Sequence, residues 1–254
     1  MAKFGVIVTA AGQSSRFGGS EKKQFEDLAG RAVFIRATEP FLARDDVALV
    51  VVTVAAEDLE RVKLRWGNHL GFHGIKLACP PADGSERVDS VAAGLELIPP
   101  DCDHVAIHDA ARPLIDPELI DKVFREAIAS GAAIPALPLS ATLKRVEEKP
   151  ANEWGIQPRT VVATLPREGL WLAQTPQVFR RSIYADALAR RAQIAGLITD
   201  DAQLVEAVGH PVSVVMGSPE NFKITTAADL AMAKQLAKSR GMSGPAEPSR
   251  HHRF

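Results

Sequence analysis

The sequence predicts an α/β fold, a mostly parallel, twisted sheet flanked by helices on both faces. Three observations carry the prediction. Short apolar or β-branched runs alternate with longer segments of helical period along most of the chain. The strand candidates are continuous apolar runs rather than alternating ones, so both faces of each must be covered. No repeat of fixed period and no break in composition divides the 254 residues.

Taken in order, Phe4–Thr9 (FGVIVT) is the first strand candidate, and it opens into the small residues Ala10-Ala11-Gly12. Residues 32–43 have helical period, 47–54 form the second strand, 57–66 a helix and 75–78 a third strand. Residues 85–97 read as a helix with Ser85 as its N-cap and Val88, Val91, Ala92 and Leu95 as its buried stripe. A strand at 104–108 precedes the helix Pro117–Ser130, which has Asp116 as cap and proline in its first turn. Residues 133–137 and 212–216 are strands, 181–195 and 202–208 helices, and Ala227–Ser239 closes the fold behind Thr225 or Thr226 as cap.

Two stretches leave this rhythm. Residues 139–170 hold β-prone runs at 142–146 and 160–165, separated by the polar EEKPANEWGIQP. They read as a long hairpin projecting from the body. An isolated hairpin is marginal in water, so it is expected to lean on another surface, such as a second subunit. From Gly241 the chain reads GMSGPAEPSRHHRF, whose Gly, Pro and Ser content suits a tail without fixed structure. Residues 1–240 are then expected to form one domain with the hairpin inserted.

Bulk properties exclude several classes. Lys+Arg 30 against Asp+Glu 31 gives net charge -1, so no global field draws the chain to nucleic acid or to membranes. Any affinity for anions must be local. Cys79 and Cys102 have neither metal-type nor redox spacing, which suits a reducing cytoplasm. No apolar run of about 18 residues and no signal-type leader is present.

Three segments could carry chemistry. In VIVTAAGQSSRFGGSEKKQF, small residues free the backbone N–H groups after a strand, and Arg16, Lys22 and Lys23 follow. That combination suits a phosphate-rich ligand. It is neither a Walker A loop nor the dinucleotide fingerprint. A plain sheet-edge turn with solvated charges is the bland alternative; the placing of Arg16 and Lys23 around one loop favours the anion. In PADGSERVDSVAAGLELI, Arg87 and Ser90 fall off the buried stripe, although a capped surface helix explains most of the segment. In HVAIHDAARPLIDPELI, Asp109 falls just beyond a strand's carboxyl end, where ligands of open α/β sheets sit. A carboxylate there could serve Mg²⁺ or accept from hydroxyls; helix capping is already provided by Asp116. His108 reads as a partly buried structural histidine. Arg167, Thr175, Thr199 and Lys223 lie in TLPREGLW, LAQTPQVF, LITDDA and ENFKIT.

With these segments in view, AAGQSSRF, KKQF, GSERVDSVAAGL, HDAARP, TLKR, REGLW, QTPQVF, ITDDA and NFKIT resemble, in that order, the 2-C-methyl-D-erythritol 4-phosphate cytidylyltransferase family of the non-mevalonate isoprenoid pathway. The resemblance spans residues 4–240. It implies a Rossmann-like core, a homodimer clasped by the arm at 139–170, and CTP, methylerythritol phosphate and Mg²⁺ as substrates and cofactor. It implies that Ala10, Ala11, Gly12, Gly84, Ser90 and Asp109 hold the nucleotide. Arg16, Lys23 and Lys223 would neutralise the phosphates during transfer. Asp109, Arg112, Thr142, Arg167, Thr175 and Thr199 would hold the acceptor, with Thr142 and Arg167 reaching across from the other subunit's arm. Asp109 would be the carboxylate near the metal. The family commonly has a second glycine where Ser14 stands, a proline where Lys22 stands and two small residues where Asp83-Gly84 stand. The sister activity on ribitol 5-phosphate, and a nucleotide-binding regulator without catalysis, are the rival readings. One phosphate would attack another, and a phosphate monoester is ionised near pH 7 with a second pKa around 6, so no general base is needed.

Overall fold

The computed structural model describes residues 2–14, 17–18, 21–81, 86–151, 154–155, 157–194 and 198–244. The first strand, β1 (Phe4–Thr9), is followed by the two-residue strands β2 (Asp27–Leu28) and β3 (Arg31–Ala32). Helix α1 (Val33–Leu42), strand β4 (Val47–Thr53), helix α2 (Leu59–Phe72) and strand β5 (Lys76–Ala78) come next. Then follow α3 (Arg87–Leu97), β6 (His104–Asp109), α4 (Pro117–Ser130) and β7 (Ala132–Pro138). The hairpin is β8 (Leu143–Glu148) with β9 (Arg159–Leu165), and β10 (Trp171–Ala173) and β11 (Gln177–Arg180) return the chain to the body. Helices α5 (Arg181–Ala189) and α6 (Asp201–Ala207), strand β12 (Ser213–Met216) and helix α7 (Ala227–Ser239) complete it.

The main sheet runs β5-β4-β1-β6-β11-β7, with β10 and β12 also paired to β7. β1 is parallel to both β4 and β6, and β12 is parallel to β7. β11 lies antiparallel between β6 and β7. The chain therefore winds outward from β1 through β4 to β5 and returns to β1's other side as β6. That reversal opens a crevice beyond the carboxyl ends of β1 and β6.

Continuous apolar strands are explained by what covers them. Phe4, Val6 and Val8 of β1 pack with Phe34, Phe41, Trp66 and Phe124 of α1, α2 and α4 on one face. Ile7 points the other way, toward Val91 of α3 and toward Tyr184 and Leu204 of α5 and α6. A third cluster joins Phe17, Leu28 and Leu114 to Ile224, Leu230 and Ala233 at α7. Close approach of α3 to β1 rests on glycine: a Cβ on Gly94 would stand 2.7 Å from Ile7 Cγ2.

The expected elements are present with shifted ends. α2 runs on to Phe72 because Val62, Trp66 and Leu70 keep one face buried past Gly67. α5 stops at Ala189 and a short 3₁₀ turn, Arg191–Gln193, follows. α3 starts at Arg87, where the Glu86 amide donates to the Asp89 carboxylate over 2.9 Å; Ser85, expected as its cap, lies outside the described residues. Asp116 and Thr226 cap α4 and α7 through bonds to the amides of Glu118 and Asp229. The hairpin pairs antiparallel from Leu143↔Leu165 to Glu148↔Arg159 and is largely exposed. Met242 packs against the third core cluster, and residues 245–254 of the expected tail lie outside the described residues. Among the described residues no helix is long and apolar enough to cross a membrane.

Candidate active site

At the switch point a cleft of about 360 Å³ is walled by Thr9–Gln13, Lys23 and Gln24, by Ala55–Glu57, by Pro80, Pro81, Glu86, Arg87 and Ser90, and by Asp109–Ala111 with Lys223. Its floor is set by register: Thr9 of β1 pairs with Asp109 of β6 and with Thr53 of β4. Past the strand, Ala10 still donates to Thr53 O over 2.8 Å. The next three amides, those of Ala11, Gly12 and Gln13, make no hydrogen bond among the described residues. They are the small-residue stretch, and they form one wall of the cleft.

Beneath this loop lies Gln24, buried at 2% exposure. Its Nε2 donates to Ala10 O and to Gly12 O, each over 2.9 Å, and its Oε1 accepts from the Ser14 hydroxyl over 2.9 Å. Ser14 has φ 57. This is the left-handed region that favours glycine. Lys22, one of the three cations that follow the small residues, spends its charge on two carboxylates rather than on the cleft. Its Nζ meets Asp58 Oδ2 at 2.6 Å and Glu57 Oε1 at 2.9 Å. Burial works against the Lys22 charge, but these two carboxylates hold its pKa above the ordinary value. Its bond to Glu57, joined by one from Gln13, lowers the Glu57 carboxyl to about 2.

Asp109 is the electrostatic centre. It is 6% exposed, and Lys223 Nζ lies 2.9 Å from Oδ2, Arg112 Nε 3.4 Å from Oδ2 and Arg87 Nη2 3.4 Å from Oδ1. Burial alone would raise the carboxyl, but the Lys223, Arg87 and Arg112 charges outweigh it and keep the group well below the usual carboxylate range. Arg87 continues the network to Asp201 at the start of α6, which also accepts from Tyr184 Oη over 2.6 Å. Despite burial, which would lower it, the Asp201 and Asp109 charges raise the Arg87 pKa above its ordinary value.

His108 is fully buried behind Asp109. Its Nδ1 pairs with Thr175 Oγ1 at 3.0 Å and its Nε2 with Arg112 O at 3.0 Å. Burial pushes its pKa down to about 4, so it is a neutral support.

The expected site residues separate into three groups. Ala10, Ala11, Gly12, Lys23, Ser90, Asp109 and Lys223 all line the cleft. Arg112 stands one layer away, its Nη1 donating to Asn221 O over 2.7 Å and its Nε to Asp109. Thr175 is buried at 4% exposure, its hydroxyl accepting from the Asp109 amide over 3.0 Å; it supports the cleft from below. Thr142 and Arg167 sit at the foot of the hairpin and Thr199 beside α6, all exposed and none lining the cleft of their own chain. Arg167 is tied to Ser140 O, and Thr199 donates to Gln203 through its amide and hydroxyl. Arg16 and Gly84 lie outside the described residues. Two further cleft residues have little signal in the sequence: Arg87 lies off the apolar stripe of its helix, and Gln24 precedes the core residue Phe25.

Among the described residues no group of three or more His, Cys, Asp or Glu side chains could hold a metal ion. One carboxylate ringed by cations is compatible with a Mg²⁺ that arrives on substrate phosphates, since this ion keeps waters and takes few protein ligands. It is incompatible with a cage made by the protein alone.

Comparison with known proteins agrees with this geometry. The model of the family described as IspD, 2-C-methyl-D-erythritol 4-phosphate cytidylyltransferase, matches residues 4–239. The 2-C-methyl-D-erythritol 4-phosphate cytidylyltransferase of Pelotomaculum thermopropionicum is 40% identical over 240 residues, covering 94% of this chain and 96% of that protein. A bifunctional enzyme IspD/IspF of Rhodospirillum rubrum is 40% identical over 243 residues; the match takes 95% of this chain and 59% of that protein's length. The crystal structure of the Thermus thermophilus 2-C-methyl-D-erythritol 4-phosphate cytidylyltransferase superposes with TM-score 0.69 at 30% identity, covering 94% of this chain and 100% of that one.

Proposed function

The chain belongs to the 2-C-methyl-D-erythritol 4-phosphate cytidylyltransferase family, and on that premise we propose that it joins CTP to 2-C-methyl-D-erythritol 4-phosphate, releasing pyrophosphate. The observation that carries this reading is the cleft itself. The amides of Ala11, Gly12 and Gln13, without a hydrogen bond among the described residues, belong to residues that line the same space as Lys23, Lys223 and the Asp109 centre.

The acceptor's phosphate oxygen attacks the CTP α-phosphorus in line; the new P–O bond forms as the bond to the pyrophosphate oxygen breaks. The obstacle is repulsion between anions, not weakness of the nucleophile. The loop amides and Ser90 hold the nucleotide, with Gly84 assigned to this role by the resemblance. Lys23 and Lys223 spread the charge developing on the α-phosphate, as does Arg16 on the same basis. Asp109 keeps Lys223 and Arg112 oriented. Mg²⁺, when bound, supplies neutralisation of phosphate charge, with Asp109 the carboxylate within its reach. The neutral, fully engaged His108 supports a mechanism without a general base.

The acceptor site is completed across a homodimer, with Thr142 and Arg167 from the partner's arm and Thr175 and Thr199 behind it. Exposed Val161, Val162, Trp171 and Leu172 on the arm and at its foot support burial of this region against a second copy. Two unpaired cysteines favour a reducing, cytoplasmic setting.

The test is pyrophosphate release with CTP, Mg²⁺ and either methylerythritol phosphate or ribitol 5-phosphate, with ATP and UTP in place of CTP as controls. Rapid release is expected only with CTP and methylerythritol phosphate. Release with ribitol phosphate alone would move the chain to the sister activity.

A further inference from the structure

A loop that binds phosphate through its N–H groups must also dispose of its C=O groups, because carbonyl lone pairs pointing the same way would repel the anion. In residues 10–14 one side chain does this. Gln24 is buried in the short 3₁₀ turn Lys23–Phe25, and Phe25 anchors that turn in the core by stacking on Trp66 with ring centroids 5.4 Å apart. The Gln24 amide nitrogen draws in the carbonyls of Ala10 and Gly12, and its oxygen accepts from Ser14. The Ser14 hydroxyl in turn accepts from the Lys23 amide over 3.3 Å. Its donors and its acceptor are all used, and the reverse amide orientation would set oxygen against two carbonyls.

We infer that Gln24 is a positioning residue for nucleotide binding. It turns the carbonyls of Ala10 and Gly12 inward, holds Ser14 in its left-handed conformation and leaves the amides of Ala11, Gly12 and Gln13 directed at the triphosphate. Gln24 acts through the loop, its amide being spent on Ala10, Gly12 and Ser14. This rests on the reading that the cleft holds CTP, and it deepens that reading by assigning the side chain that forms the anion cradle.

Chemistry of the amide makes the inference testable. Gln24→Leu removes both carbonyl anchors. Gln24→Glu keeps size and shape, but an ionised carboxylate faces two carbonyls, whereas its protonated form can donate to one of them. CTP affinity is measured by calorimetry with Mg²⁺ on the whole chain, for wild type and both variants between pH 6 and 8. Melting temperatures and the KM for each substrate are measured alongside. Gln24→Leu should weaken CTP binding by about tenfold or more, since three hydrogen bonds that shape the loop are lost. The acceptor KM should stay within about twofold. Gln24→Glu should bind poorly at pH 8 and recover toward wild type, compared at equal pH, as the medium is acidified; a purely structural role would show no such recovery.

If Gln24→Leu does not fold, the Gln24→Glu pH profile decides alone. Variants that melt lower yet bind CTP like wild type at every pH would overturn the inference. Absence of CTP binding by wild type would overturn the nucleotide reading itself, and this inference with it; a variant-specific loss cannot be mistaken for that result.

Discussion

Lys23 and His108 illustrate how much one residue's surroundings decide. Lys23 lines the cleft beside the loop amides and should stabilise charge present mainly in the transition state. Removing one such group typically costs about 3 kcal/mol, or roughly 100-fold in rate. Lys23→Ala should therefore lower kcat by that order; a variant retaining half the wild-type kcat would contradict the assignment. His108 gives a prediction of stability instead. Its pKa is about 4 in the fold against 6.5 ordinarily, so the unfolded chain binds a proton that the native state refuses. Stability is then full above about pH 6.5 and falls as pH drops toward about 4, by on the order of 3 kcal/mol. Denaturation across that window should show the fall, and His108→Gln should flatten it. Of the site, Ala10–Gly12, Lys23, Ser90, Asp109 and Lys223 were legible in the sequence, because small residues and charges beyond strand ends have few structural uses. Arg87 and the buried setting of Thr175 were not, since their roles come from partners as distant in sequence as Asp201 and Asp109, nor was Gln24, whose role comes from the fold of the loop onto its amide.

At the scale of elements, α3 and α2 form a contrasting pair. α3 carries Arg87 and Ser90 into the cleft and lies close on β1 through Gly94, where an added Cβ would meet Ile7 Cγ2 at 2.7 Å and Thr53 Cγ2 at 3.2 Å. Gly94→Ala gains about 1 kcal/mol of helix propensity and loses about 1–3 kcal/mol to crowding. A net loss is expected, together with weaker CTP binding as α3 shifts. On α2 a Cβ at Gly67 meets nothing within 4 Å, so Gly67→Ala should instead stabilise by about 0.5–1 kcal/mol. Thermal melts of the two variants check the opposite signs. Elements with strong local signals, such as β1 with its apolar run and α4 and α7 with their caps, were legible from sequence. β11 was not: Gln177, Val178 and Phe179 are buried because the strand lies antiparallel between β6 and β7, a long-range arrangement with no local signature. Nor was the full length of α2, whose Gly67 and Gly71 argue against a helix that Trp66 and Leu70 hold by burial.

For the whole molecule, the proposal that the acceptor site is shared between two copies through the exposed hairpin carries its own test. Mixing inactive Lys23→Ala with inactive Arg167→Ala should restore activity, because each heterodimer contains one site with both residues intact. No recovery after confirmed subunit exchange would place Arg167 outside the site. The central claim is narrower: phosphate attacks phosphate in a cleft that supplies only position and charge. Methylerythritol phosphate labelled with ¹⁸O on its phosphate, followed by ³¹P NMR of the product, tests it most directly. Direct attack predicts ¹⁸O in the bridge between the two phosphorus atoms, with the released pyrophosphate unlabelled. An unlabelled bridge, or label in the pyrophosphate, would contradict it.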